Sequence, residues 1–218
     1  MRLPWSIRLY RNGGKRLLDV VGAMLLLFLL APVACLVCLG IALRLGRPVT
    51  FCQPRIGLDG RVFLLHKFRS MRDAYDEAGR PLPDEERLDS FGLKLRSSSL
   101  DELPQLFDIL RGDMSLVGPR PLVARYRHRY TQREWKRHLV RPGLTGWCQV
   151  NGRNALDWES KLELDVQYAE DYNFWWDLKI LLMTVGKVLG RSGVSAEGEA
   201  TMPEFRPEGL ARNPDDSL

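Results

Sequence analysis

The residues best suited to chemistry lie between Arg96 and Pro121, and at the centre of that run two acids stand side by side, Asp101 and Glu102. Adjacent carboxylates can divide covalent catalysis between them, one attacking while the other holds a cation or a proton. A purely structural role fits the same residues. Ser99-x-x-Glu102 matches a helix capping box, and acids in a first turn complement the helix dipole. Pro104 is tolerated only in a first helical turn, so the sequence predicts a helix that starts near Asp101. A carboxylate there meets free backbone N–H groups, which favour its ionised form and also attract phosphate.

Anionic phosphates repel a carboxylate nucleophile, so such a reaction needs cations close by to neutralise the phosphates and the leaving group. Lys67, Arg69, Arg96 and Arg120 are the candidates. Arginine suits bidentate phosphate binding, and Mg²⁺, which prefers carboxylate and phosphate oxygens, would complete the site with Asp101 and Glu102 as its protein ligands.

These residues need a scaffold, and the sequence predicts an α+β fold that is mainly helical. Val49 to Gln53 and Val62 to Leu65 form a small β-hairpin around the turn residues Gly57 to Gly60. Asp73 to Asp89 is a charged surface loop followed by a short polar helix. Phe174 to Leu189 is an amphipathic helix carrying Trp175 and Trp176 near its start, either interfacial or buried. From Arg120 to Leu139 basic residues alternate with Tyr126, Tyr130 and Trp135, a pattern suited to lipid headgroups or to nucleic acid.

Val20 to Leu43 contains no charged side chain over 24 residues, enough for a membrane span of about 20 residues. Basic residues flank both ends: Arg2, Arg8, Arg11, Lys15 and Arg16 before it, Arg44, Arg47 and Arg55 after it. Positive charge favours the cytoplasmic face, so both ends prefer the same side. Pro32, near the middle, favours a kink. Together these features point to a re-entrant helix hairpin broken at Pro32, with a kinked spanning helix as the alternative. The membrane segment favours lipid over nucleic acid as partner of the basic stretch.

The resulting organisation has three parts: residues 1–46 as membrane element, 47–191 as catalytic domain with interfacial helices, and 192–218 as a flexible tail. The net charge is +5, and the tail, with six acids against Arg206 and Arg212, is −4, which leaves +9 on the remainder. Rich in Gly, Pro and acids, the tail cannot bury enough surface to offset its ordering entropy. Cys35 and Cys38 sit within the apolar run and Cys52 and Cys148 stand alone, so the four cysteines form no disulfide framework and imply reducing, cytosol-facing surroundings. Cys35-x-x-Cys38 has no second pair, and His66, His128 and His138 are too scattered for a zinc site.

Lys67-Phe-Arg-Ser-Met71, Leu100-Asp-Glu-Leu-Pro-Gln105 and Gly112 to Pro121 resemble the bacterial sugar transferase family, the monotopic phosphoglycosyl transferases, in its short form with little beyond the catalytic unit. The likeness continues through Arg141 to Trp147 and from Asp165 to Leu182, covering about Lys15 to Gly190. It implies a re-entrant helix in the bacterial inner membrane and a catalytic domain on the cytoplasmic face. It also implies a two-step reaction in which Asp101 attacks the sugar-bearing phosphorus of a UDP-sugar, UMP leaves, and polyprenyl phosphate then takes the sugar phosphate from Asp101. Glu102 would orient the site or assist proton transfer and metal binding. Lys67, Arg96, Pro119, Arg120 and Asp165 match positions that line the family's active site. Homo-oligomerisation and contact with downstream glycosyltransferases are compatible with this role. Two positions depart from the family pattern: Ala31 precedes Pro32 where a serine often stands, and Asp108 replaces an asparagine. Gly152 to Leu156 with Trp158 resembles members that use UDP-linked acetamido sugars, while UDP-galactose or UDP-glucose stays open. The competing roles are a basic membrane scaffold with no catalysis and a polyprenyl diphosphate phosphatase.

Overall fold

The computed structural model describes residues 4–152, 156–190 and Phe205. The short helix α1 (Trp5–Leu9) runs through a π turn, with Gly13 at φ 154°, into α2 (Lys15–Arg44). Among the described residues, the stretch Trp5–Arg44 is the one helix long and apolar enough to cross a membrane. The break expected at Pro32 does not interrupt it, because α2 is a single α-helix with Pro32 inside. Proline removes one helical hydrogen bond there, but the turns on both sides are held by packing. Ala23, Leu26 and Leu27 join one core cluster, while Val33, Ala34, Val37 and Ile41 join a second.

Strands β1 (Thr50–Ile56) and β2 (Val62–Phe68) pair antiparallel from Thr50↔Phe68 to Ile56↔Val62, so the hairpin is present and each strand is longer than the sequence suggested. The charged loop leads to α3 (Asp84–Arg87), then to α4 (Ser90–Ser97), whose first turn is capped by Asp89 accepting from the Gly92 N–H. A 3-10 turn over Leu100–Glu102 precedes α5 (Gln105–Arg111), which ends at Gly112 with φ 97°. Strands β3 (Ser115–Val117) and β4 (Gly143–Thr145) pair in parallel. At their junction Gly118 and Gly143 approach so closely that a Cβ on Gly143 would collide with the Gly118 nitrogen.

Between these strands lie a 3-10 turn at Ala124–His128 and α6 (Gln132–Trp135). After β4 come α7 (Trp147–Val150), α8 (Trp158–Asp171) and α9 (Phe174–Leu189). The last of these matches the predicted amphipathic helix. Ile180 packs in the main core, whereas Trp175, at 73% exposure, with Leu182 and Val185, faces outward. Asp177 of α9 accepts hydrogen bonds from Tyr10, from Lys15 at 2.5 Å and from Tyr168 at 2.6 Å, tying α9 and α8 to the start of the apolar helix.

One expectation fails against long-range packing. Tyr126, Tyr130 and Trp135 do not form an outward aromatic stripe. Tyr126 is buried with Ile56 and Leu162, and Tyr130 and Trp135 pack edge-on against the buried His138. The tail expected to stay flexible lies outside the described residues except for Phe205, which is buried in that same third cluster.

Candidate active site

Asp101 does not occupy the first turn of α5. It lies in the preceding 3-10 turn, while Pro104 is the residue that caps α5. The capping box on Ser99 is not formed, because Ser99 adopts a left-handed conformation (φ 56°, ψ 17°) and its side chain makes no cap bond. The chain therefore reverses sharply before Leu100 and presents Asp101 and Glu102 toward β2, free of a helix-capping role.

Lys67 of β2 meets both acids, with Nζ 2.8 Å from a Glu102 oxygen and 3.7 Å from an Asp101 oxygen. Arg120 approaches the same Glu102 oxygen at 2.9 Å. Glu102 is thus held by two cations. Asp101, at 7% exposure, makes no side-chain hydrogen bond among the described residues.

The electrostatics divide along the same line. Burial pushes the Asp101 carboxyl above its ordinary range, with Glu102 adding to the rise and Lys67, Arg120 and Arg96 only partly offsetting it. Burial would raise Glu102 too, but Arg120 and Lys67 outweigh it and hold that carboxyl well below its ordinary range. The pair therefore consists of one firmly ionised, tethered carboxylate and one desolvated, untethered carboxylate. An adjacent pair split in this way is suited to separate roles.

The segment that carries Arg120 is fixed by its carbonyls. Prolines at 119 and 121 have no N–H, so this strap offers mainly acceptors. The Gly143 N–H donates to Pro119 O at 2.9 Å, Arg137 to Arg120 O at 2.7 Å, Arg55 to Pro121 O at 3.2 Å and the Ile56 N–H to Leu122 O at 3.0 Å. Arg137 also donates from its Nε, at 3.2 Å, and from a terminal nitrogen, at 2.6 Å, to the same oxygen of Asp165. Asp165 is thus linked to the strap through Arg137.

The remaining cations are placed differently. Arg96 binds the Ser70 hydroxyl at 3.0 Å, within electrostatic range of Asp101. Arg69 is buried and turned toward the end of the apolar helix, donating to the Leu45 carbonyl and, at 2.9 Å, to Asp73. Asp108 is fully buried and binds His66 twice, accepting from its backbone N–H at 3.0 Å and bonding its Nδ1 at 2.7 Å. This bond anchors the residue next to Lys67. Arg55, Arg137 and the Asp108–His66 pair were not singled out for the site from sequence. Arg137 is one of many basic residues in a basic stretch, and only its partner 28 positions away distinguishes it.

Two nearby groups are unsuited to catalysis at neutral pH. Burial pushes the Cys148 thiol up to about 12, which keeps it protonated. Burial and the neighbouring Arg137 hold His138 down to about 3, which keeps it neutral.

Among the described residues no group of three or more His, Cys, Asp or Glu side chains converges on a metal position. Asp101 and Glu102 nevertheless fit the habit of Mg²⁺, which takes one or two carboxylates and completes its shell with water and substrate phosphate.

Asp101 and Glu102 thus face Lys67 and Arg120 in a domain that packs against a long apolar helix. The chain belongs to the bacterial sugar transferase family, whose sequence pattern matches residues 10–191. It is similar to the sugar transferase EpsL of Bacillus subtilis, at 47% identity over 89% of this chain and 96% of that protein. It is also similar to the undecaprenyl-phosphate glucose phosphotransferase of Komagataeibacter xylinus, at 42% identity over 78% of this chain. The galactosyl transferase CpsE of Streptococcus agalactiae is 35% identical over 88% of this chain. The chain spans 35% and 46% of the lengths of these last two relatives.

Proposed function

We propose that this chain transfers a sugar-1-phosphate from a UDP-sugar to polyprenyl phosphate through a covalent intermediate on Asp101. The observation that carries the reading is the contrast inside the acidic pair: Glu102 is bound by Lys67 and Arg120, whereas Asp101 keeps its oxygens free of hydrogen bonds among the described residues. A carboxylate largely withdrawn from water and without hydrogen-bond donors is the better nucleophile of the two. An Asp101 oxygen bonds to the sugar-bearing phosphorus as the phosphorus–oxygen bond to UMP breaks. A polyprenyl phosphate oxygen then attacks the same phosphorus and frees the Asp101 carboxylate. Lys67 and Arg120 neutralise charge on the phosphates, while Glu102 keeps both cations in place. Bound Mg²⁺ would neutralise diphosphate charge, with Asp101 and Glu102 as its protein ligands. A scaffold role leaves the buried, unbonded Asp101 unexplained.

The same reading places the apolar helix in one leaflet, with the catalytic domain on the cytoplasmic face. Arg16, near its start, donates to the Ile109 and Leu110 carbonyls of α5, and Leu45, just past its end, accepts from Arg69. Leu103 packs against both the cluster that holds Ala23 and the cluster that holds Ile41. One small domain thus grips both ends, whereas a straight helix crossing a core of about 30 Å would present its ends to opposite faces. The outward Trp175, Leu182 and Val185 of α9 supply an apolar surface for the same interface.

For the donor, the names of the relatives point to glucose and galactose, so UDP-hexoses come first and UDP-acetamido sugars second. Residues 153–155 of the acetamido-type stretch lie outside the described residues. The test is UMP release by the purified protein with a panel of UDP-sugars, Mg²⁺ and undecaprenyl phosphate, each omitted in turn. Donor-selective release that depends on the lipid is the expected result. No release across the panel by folded protein would return the scaffold reading.

A further inference from the structure

The third core cluster contains a side chain that neither the family nor the reaction accounts for. Phe205 lies beyond the family-matched residues, which end at 191, in the acidic stretch of the sequence, yet it is only 3% exposed. Three aromatic rings from two parts of the catalytic domain enclose it. The Trp158 ring of α8 is 5.1 Å away between centroids, Tyr126 of the 3-10 turn lies edge-on at 5.6 Å, and Tyr130 stacks at 5.6 Å. Rings at such separations attract beyond simple burial.

The backbone of Phe205 is held as well. Its N–H donates to the Tyr126 hydroxyl at 3.2 Å, and its carbonyl accepts from Arg129 at 2.6 Å. A side chain sunk in a pocket while both of its backbone polar groups bond to side chains of the receptor is how a groove holds an extended peptide. Pro203 and Pro207 bracket Phe205 in the sequence and lack N–H groups of their own. Charge agrees, since the segment from Ser192 onward is −4 and the turn beside the pocket carries Arg125 and Arg127.

We propose that Tyr126, Tyr130, Trp158 and Arg129 form a binding pocket for a phenylalanine-bearing acidic peptide, and that its resident ligand is this chain's own Phe205. The pocket is walled by Ile56, Leu122 and Val123. Leu122 and Val123 directly follow the Pro119–Pro121 strap, so Phe205 seated here braces the segment that carries Arg120. Phe205 is then a latch on the catalytic domain.

The experiment uses the full chain in detergent, wild type and Phe205→Ala, with a fluorescent peptide matching residues 199–211 and the same peptide carrying Phe205→Ala. A tethered ligand competes at an effective concentration on the order of millimolar. The Phe205→Ala protein is therefore expected to bind the phenylalanine peptide at least about tenfold more tightly than wild type does, and neither protein to bind the alanine peptide. Equal binding to both proteins, binding of the alanine peptide, or no binding to the variant overturns the pocket. Amide hydrogen exchange over residues 122–130 should be faster in the variant and slow again when the peptide is added, and unchanged exchange overturns the bracing.

Discussion

Two buried acid–cation clusters sit close together in this molecule, and they are built to opposite ends. At Arg137 and Asp165, one guanidinium donates twice to a carboxylate oxygen and a third time to the Arg120 carbonyl, and both side chains are sealed from water. At Asp101 and Glu102, two cations converge on a single Glu102 oxygen, and Asp101 is left with Lys67 at 3.7 Å and a carboxyl pushed up by burial. The sealed pair holds the backbone through one Asp165 oxygen, while the other Asp165 oxygen is buried without a hydrogen-bond partner among the described residues. The open pair leaves both oxygens of Asp101 without a hydrogen bond among the described residues yet not fully closed to solvent, which suits that carboxylate for attack.

The sharpest way to break this contrast is Asp101→Asn. Loss of the nucleophile should lower UMP release at least about a thousandfold. Because burial disfavours the ionised Asp101, the amide should leave the unfolding midpoint at neutral pH unchanged or slightly higher. Retained UMP release would show that Asp101 is not the nucleophile, and a large fall in midpoint would place it among the structural carboxylates. Arg137→Met acts on the other cluster. Leaving Asp165 buried without its partner should cost about 3–5 kcal/mol in denaturant unfolding. Arg137→Met combined with Asp165→Leu should recover most of that stability, since a buried pair can be replaced by apolar packing. Its UMP release should stay low because the Arg120 carbonyl has lost its donor. Full recovery of both quantities would sink the positioning role of Arg137.

The contrast also separates what was legible in the sequence from what was not. Asp101, Glu102, Lys67 and Arg120 stood out as chemistry-bearing residues, and the hairpin and α9 followed from local pattern. The surroundings of the acids did not. The capping-box spacing at Ser99 is a local signal overridden by a left-handed residue, and the Tyr126–Trp135 stripe looked outward because period alone does not reveal which surface covers it. Arg55 and Arg137 bind partners 66 and 28 or fewer positions away, in a sequence with many arginines, so nothing local marks the two that pin the strap. Pro32 illustrates the same limit, since its local tendency to break a helix does not interrupt α2.

Lys67→Met narrows the comparison to one cation. Lys67 lowers an Asp101 pKa that burial raises, so removing it raises that pKa further. Attack requires ionised Asp101, so the acid limb of the kcat/KM profile should move to higher pH, with a loss of about a hundredfold at neutral pH. An unmoved acid limb would mean that the limb reports some group other than Asp101.

The smallest expected effect is at Asp108, an acid as buried as Asp165 but paired with a histidine. Burial raises its carboxyl although His66 opposes the rise through two hydrogen bonds. A folded-state pKa above the unfolded value of about 3.9 means that its contribution to stability is complete below the unfolded value and is lost as pH rises through the folded one. Asp108→Asn keeps an oxygen for the His66 N–H and removes this titration. The variant should therefore lie within about 1 kcal/mol of wild type at neutral pH, with a smaller fall in unfolding midpoint as the pH is raised from acidic toward neutral. UMP release should change little, because Lys67 stays anchored through the backbone bond of its neighbour His66. If release falls as steeply as in Lys67→Met, the Asp108 carboxylate works with the open cluster, and the line between the positioning and reacting acids must be redrawn.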